Sequence, residues 1–340
     1  MTEDSAVSPY EDDDPTVGLP RPSTIDRLSP EMLLRGKRHA PSDGWRRLVY
    51  RSTGGLIHPG ESPKALRQRD LKGRVMAPVS DGHHRIAVLS LKGGVGKTTT
   101  TVGLGATLAT IRGDRVIAVD ANPDRGTLSD RVRVETAATV RELLTELRTF
   151  SNPRYADVRA FTSQSLSNRL EILASARDPA VSEAFSADDY REVARLLEQY
   201  YSISITDCGT GLLHSAMSSI LVLSHQIVLV TSPSVAAARS AEATLDWLHA
   251  HDHSDLVKTA TVVLSSVRPR SKSTVDLDAL RAYFGERCRA VVEIPFDPHL
   301  EEDSEGDLDR LTEETRDAYL VLAATVGDAF PAAGRRSLAA

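Results

Sequence analysis

Between residues 85 and 330, short unbroken apolar runs alternate with stretches whose apolar positions recur at helical spacing. Ile86–Leu91, Arg115–Asp120, Leu170–Ala174, Tyr201–Asp207, His225–Thr231, Thr259–Ser265 and Ala290–Ile294 read as strands. Continuous rather than alternating apolar character marks strands covered on both faces, as in a parallel sheet. Within Thr98–Ile111, Leu104, Leu108 and Ile111 fall at i, i+4 and i+7, which predicts a helix. Ala137–Arg148, Ala187–Gln199 and Leu311–Phe330 read the same way. Strands alternating with helices of this length imply an α/β fold, a doubly wound parallel sheet with helices on both faces. No internal repeat is present.

The flanks break this pattern. Residues 1–14 carry six acidic groups and no Lys or Arg, and Pro15, Pro20, Pro22 and Pro30 follow. One sign of charge with few apolar groups cannot offset chain entropy, so residues 1–34 are expected to be a disordered acidic tail. A solubilising tail and a docking arm both stay open. From Arg35 to Arg74 the sign reverses to a net +8 over forty residues, with Trp45, Leu48 and Tyr50 among the arginines. A basic and aromatic mixture of this kind suits a protein partner, DNA or an anionic membrane surface. The alternative is a short helical arm packed on the main domain. Met76–His84 reads as a linker, closing a basic extension over 35–84. The main domain is then 85–330, with a C-terminal tail over 331–340.

Composition narrows the class. The chain has 340 residues, 41% hydrophobic and 26% charged, with a net charge of −6. That is ordinary for a globular protein and gives no global pull toward nucleic acid. Two cysteines, Cys208 and Cys288, are too few for a disulfide scaffold, so a reducing cytoplasm is expected. No stretch approaches the roughly 20 apolar residues of a membrane span, and the acidic N-terminus has no signal-like apolar region.

The strongest chemical signal is Lys92-Gly93-Gly94-Val95-Gly96-Lys97-Thr98-Thr99, set between a predicted strand and a predicted helix. Glycines let the backbone curl so that successive N–H groups point inward, and a helix N-terminus adds its positive dipole end. Lys97 is expected on the β- and γ-phosphate oxygens and the Thr98 hydroxyl on Mg²⁺. Leu91 stands where the strict G-x-x-x-x-G-K-[ST] pattern has its first glycine.

With Lys92 added, the run resembles the deviant Walker A motif of the MinD/ParA/Soj family of P-loop NTPases, and the resemblance covers about residues 85–330. It implies ATP and Mg²⁺ as ligands, slow hydrolysis, and an ATP-bound homodimer in which Lys92 reaches the partner's nucleotide. Asp120-Ala121-Asn122-Pro123-Asp124 resembles the family's switch I. Asp120 matches its first carboxylate. Asn122 stands where the water-orienting Asp belongs. An amide positions water but takes no proton at neutral pH, so hydrolysis is in question while binding is not, with Asp124 a candidate substitute. Asp207-Cys208-Gly209-Thr210 resembles Walker B and switch II, with Asp207 a Mg²⁺ carboxylate and Cys208 a buried inert thiol or a redox-sensitive one. Ser265 stands where the family carries a base-reading Asn. Ile294-Pro295-Phe296-Asp297 resembles the motif flanking the base, placing Pro295 and Asp297 there. Arg268, Arg270 and Lys272 read as a solvated loop or phosphate contacts.

The tail Phe330–Ala340 carries two arginines and little bulk, unlike a membrane-targeting helix. The GWRR and TGG runs of the basic extension look like those of actinobacterial MinD/ParA-like proteins linked to type VII secretion. The expected function is an ATP-driven dimerisation switch that positions or regulates a larger assembly, cytoplasmic or peripheral at the inner face of the plasma membrane. Two alternatives stand beside it: a nucleotide-gated scaffold without turnover, and a DNA-partitioning ATPase.

Overall fold

The computed structural model describes residues 52–53, 61–122, 126–147, 149, 152–175, 185–268, 275–301 and 307–332. The acidic tail, residues 35–51 and 54–60 of the basic extension, Asp124, Arg270, Lys272 and the tail from residue 333 lie outside them. The chain divides into two compact units at Ala65/Leu66. Of the first, the described residues are 52–53 and 61–65, the last of which open a helix.

Eight strands form one sheet in the order β3-β4-β2-β5-β1-β6-β7-β8. They are β1 His84–Leu89, β2 Val116–Ala121, β3 Ser163–Gln164, β4 Glu171–Leu173, β5 Ile203–Cys208, β6 Gln226–Thr231, β7 Thr261–Val267 and β8 Ala290–Pro295. Every pairing is parallel except β3 on β4. The seven expected strands are present with ends shifted by a residue or two. The two-residue edge strand β3 is an addition, too short to leave a periodic signal.

Along β1 and β6, side chains alternate between the two faces although every position is buried. In β1, Ile86 and Val88 join one apolar cluster and Ala87 and Leu89 the other. In β6, Val228 and Val230 oppose Ile227 and Leu229 in the same way. This double coverage is why no strand shows a polar face in sequence.

Helix α1 (Pro63–Val75) belongs to the basic segment, and from Leu66 onward it lies in the second unit. Its Leu71 and Val75 enter the first cluster. Arg74 makes a two-pronged contact with Asp328, Nε to Oδ1 at 2.9 Å and Nη2 to Oδ2 at 2.6 Å. Arg112 donates from Nη1 to the carbonyls of Val75 and Ala77 at 2.7 and 2.8 Å, satisfying backbone that the helix end leaves open. Met76–His84, expected as a linker, therefore runs between two anchored points and its last residue is already strand.

Helix α2 (Lys97–Ile111) follows β1 and is buried along most of its length between the sheet and α3 (Glu313–Gly327). The β1–α2 turn sits where the connections from β1 leave for opposite edges, since β1 lies between β5 and β6. Such switch points leave a crevice at the carboxyl ends of the strands. β1, β2 and β5 all end there.

At the opposite ends of β1 and β6, His84 is buried. Its Nε2 lies 2.8 Å from Gln226 Nε2, its ring stacks on His225 with centroids 4.9 Å apart, and Phe330 meets it edge-on. Burial, then the neighbouring His225, His83, Arg85 and Arg112, hold its pKa well below 6.5. Burial lowers His83 too. The unfolded chain takes up protons near pH 6.5 that the folded chain refuses. This contribution to stability is therefore complete above about pH 6.5 and is lost as pH falls below it, by up to about 1.4 kcal/mol per pH unit per proton. The melting temperature is expected to fall between pH 7 and 5, and His84→Asn to make the fall shallower. A wild-type midpoint flat across that range would contradict the assignment.

Candidate functional site

The turn from β1 into α2 is built for close approach to its backbone. Gly94 and Gly96 have φ of 73° and 88°, a left-handed region that costs a residue with Cβ about 1–2 kcal/mol. Gly93 and Gly94 face solvent, while Val95 plugs into the core and fixes the loop from beneath. Lys92 is half-buried. Its carbonyl accepts from Ser90 Oγ at 2.9 Å and its N–H donates back to the same oxygen at 3.2 Å. No acidic side chain of α2 itself occupies its first turn; the carboxylate beside that positive end is Asp207 of β5.

Lys97 and Asp207 form the buried centre. Lys97 Nζ is 2.5 Å from Asp207 Oδ1, with side-chain exposures of 9% and 1%. Thr98 Oγ1 donates to Asp207 Oδ2 at 2.7 Å, and Thr101 Oγ1 reaches Asp207 Oδ1 at 3.3 Å. Asp207 thus receives three side chains from one helix. Asp120 stands directly across from it in the β2–β5 register. Asp120 Oδ1 accepts from the Asn122 N–H and Oδ2 from the Leu128 N–H, both at 3.1 Å. Burial first, and then the Asp207 charge, push the Asp120 pKa up to about 7.

The remaining expected residues divide. Thr99 is half-buried and borders a pocket beside the helix start, together with Ser265, Ser266, Phe296 and Asp297. Pro295 ends β8 opposite Val267. Ser265 is buried, and its hydroxyl donates to the carbonyls of Val95 and Thr231. Asp297 accepts from His299 N–H at 3.0 Å and from Thr312 N–H and hydroxyl at 2.9 and 3.0 Å. Burial raises the Asp297 pKa, but these donors outweigh it and hold the carboxyl below its ordinary value. The Cys208 thiol is wholly buried and pushed up to about 12 by burial, which makes it inert.

Sequence reading missed Thr101, Thr127 and Gly126. Thr101 lies one turn beyond Lys97, and helical spacing alone would have found it. Thr127 Oγ1 lies 3.4 Å from Thr98 Oγ1. Gly126 carries no motif, yet a Cβ there would meet Ser175 Oγ at 1.8 Å and Asp120 Oδ2 at 2.3 Å.

The donor set suits Mg²⁺. Among the described residues no group of three or more His, Cys, Asp or Glu could hold a metal unaided. One hydroxyl, Thr98, beside two carboxylates, Asp207 and Asp120, is the sparse oxygen set that Mg²⁺ accepts when substrate phosphates and water complete its shell.

Residues 86–309 match the model of the CobQ/CobB/MinD/ParA nucleotide binding domain. The ESX-1 secretion-associated protein EspI of Mycobacterium tuberculosis is 36% identical over 295 residues, 86% of this chain but 43% of EspI. The chain therefore spans less than half the length of that relative. A ParA family ATPase from Chlorobium tepidum superposes with TM-score 0.61 at 17% identity, covering 72% of this chain and 98% of that one. MinD of Pyrococcus horikoshii, solved with Mg-ADP, gives 0.55 at 23% identity, covering 71% and 94%.

Gly126→Ala is expected to lower stability by about 1–3 kcal/mol, as overpacking does, because Ser175 Oγ and the Asp120 carboxylate must both shift to admit a Cβ. Thermal unfolding checks this; an unchanged midpoint would contradict the close approach.

Proposed function

The chain belongs to the CobQ/CobB/MinD/ParA family of nucleotide-binding domains, and on that premise we propose that it is an ATP- and Mg²⁺-dependent dimerisation switch with slow hydrolysis. The observation that carries the reading is the convergence of Lys97, Thr98 and Thr101 on Asp207 at the head of a glycine-opened helix. A buried ammonium beside exposed backbone N–H groups is a site for a polyphosphate, and Lys97 and the amides of residues 93–98 are its donors.

Thr98, Asp207 and Asp120 are the residues that would hold Mg²⁺. When bound, the ion neutralises charge building on phosphate oxygens. Asp207 releases Lys97 as the phosphates arrive, so the same carboxylate serves the empty and the loaded site. Asn122 follows Asp120 at the strand end, where its carboxamide orients a water without accepting its proton. Turnover is accordingly slow. Lys92 is the lysine shared with a second copy of the chain, and its charge steadies the transferring phosphoryl group. Gain and loss of the γ-phosphate order and release the loops after β2 and β5.

The output is positioning or regulation of a larger assembly. The likeness to EspI supports a secretion apparatus as that assembly, with the basic N-terminal extension as the partner-binding element. A cytoplasmic site of action, peripheral at the membrane, goes with this reading; no described helix is long and apolar enough to cross a membrane. A second reading, a nucleotide-gated scaffold without turnover, is favoured by Asn122 specifically.

Wild type is expected to double its mass in light scattering with ATP and Mg²⁺, and Lys92→Ala to stay monomeric; identical behaviour of the two would refute the shared-lysine role. Asn122→Asp is expected to raise phosphate release by about 10²-fold, the low end of what a positioned base contributes. Rapid wild-type turnover would sink that part. Turnover undetectable in both would select the scaffold.

A further inference from the structure

The segment after β2 carries a hydroxyl that neither the glycine–lysine loop nor the strand ends account for. Thr127 stands immediately before the short 3₁₀ turn Leu128–Arg131. A threonine at such a position ordinarily uses its side-chain oxygen to cap an N–H two or three residues on. Here the side chain caps nothing, and the Asp130 N–H goes instead to the Thr127 carbonyl at 3.2 Å. Among the described residues the hydroxyl has one hydrogen-bonding neighbour, Thr98, with Oγ1 to Oγ1 at 3.4 Å.

The backbone around Thr127 is held from both sides. Gly126 is packed so closely that a Cβ on it would meet Ser175 Oγ at 1.8 Å and Asp120 Oδ2 at 2.3 Å. Leu128 is wholly buried, and its N–H donates to Asp120 Oδ2 at 3.1 Å. A β-branched side chain is stiff at χ1, so a threonine fixed between these two neighbours presents its oxygen with little further ordering.

The count of protons and lone pairs favours a cation. A hydroxyl has one proton and two acceptor positions. Thr98 gives its proton to Asp207 Oδ2 at 2.7 Å. It therefore faces Thr127 with lone pairs only, and the Thr127 proton is the one left to bridge a long 3.4 Å separation. Both Thr127 lone pairs are then without a donor among the described residues. Two neighbouring ligands of an octahedral Mg²⁺, each about 2.1 Å from the ion, stand about 3 Å apart. The two hydroxyls are already close to that spacing, and Asp207 and Asp120, side by side on β5 and β2, supply the negative charge.

We propose that Thr127 supplies a second hydroxyl to the Mg²⁺ shell, beside Thr98, and so ties the segment after β2 to the loaded site. The inference rests on the nucleotide and Mg²⁺ reading above and adds a residue to it. Thr98 belongs to the helix that meets the phosphates, and Thr127 to the segment that follows Asn122. An ion held by both joins the two; without the Thr127 hydroxyl that segment loses its own tie to the ion.

The test is isothermal titration of the full chain with the β,γ-imido analogue of ATP, once in Mg²⁺ and once in EDTA. The ratio of the two affinities is the factor by which the cation tightens binding. Wild type is expected to bind more tightly in Mg²⁺. Thr127→Val keeps the branched shape and disturbs no cap, and it is expected to cut that factor by roughly tenfold, the low end of what losing a group that supports a metal costs. Its affinity in EDTA is expected to match wild type. Thr127→Ser restores a hydroxyl and is expected to recover most of the factor. Circular dichroism reports that each variant is folded, and Thr127→Ala repeats the measurement with a smaller side chain should Thr127→Val fold poorly. A factor unchanged by loss of the hydroxyl, a loss equal in both buffers, or no recovery in Thr127→Ser overturns the inference. Wild-type affinity indifferent to Mg²⁺ overturns it too, and leaves nucleotide binding standing. Failure of the analogue to bind in either buffer overturns the nucleotide reading itself, and the inference with it.

Discussion

A buried positive charge needs a partner, and for Lys97 at the head of α2 that partner is Asp207. Removing either charge from water costs several kcal/mol unless the other is present. The pair therefore pins the first turn of α2 to the end of β5. Thr98 and Thr101 reinforce it from the same helix. Because Lys97 sits at the mouth of a loop that offers backbone N–H groups, the tie is also the thing a polyphosphate would exchange. One contact thus sets the loop's shape in the empty protein and defines the site's chemistry.

The other parts of the site depend on that tie through the sheet. β5 carries Asp207, β2 carries Asp120 beside it, and β1 delivers the loop between β5 and β6. A parallel order with β1 in the middle brings three loop starts to one crevice. The price is two carboxylates held side by side in a dry site, which pushes Asp120 toward neutrality. A bound cation would reverse that pressure, so the arrangement is better suited to the loaded state than to the empty one. The basic segment shows a related economy: Arg74, one of its eleven cations, is committed to Asp328, so part of that charge anchors α1 rather than meeting a partner.

Much of this was legible in the sequence, for identifiable reasons. Strands covered on both faces leave apolar runs, and the glycine–lysine loop leaves a motif, so the fold and the phosphate cradle were readable together. Lys97 and Thr98 were named from the loop motif, and Asp120 and Asp207 from the resemblance to switch I and Walker B. What escaped depends on partners distant in the chain. The Ser265 hydroxyl is occupied by Val95, 170 residues earlier, and nothing local announces that. Gly126 matters only because Ser175 and Asp120 close on it from two other strands' ends. The packed helix α1 was one of two readings of the basic segment, since its two core residues, Leu71 and Val75, are too few to fix a helical face by pattern.

The central claim is that the amides of residues 93–98 form a cradle for a nucleotide's phosphates. Hydrogen exchange followed by mass spectrometry reads those amides directly. The account predicts that Mg²⁺ with a slowly hydrolysed ATP analogue slows exchange across residues 93–98, and that Lys97→Ala abolishes the effect while the sheet stays protected. Exchange in that segment unchanged by saturating nucleotide in the wild-type protein would contradict it.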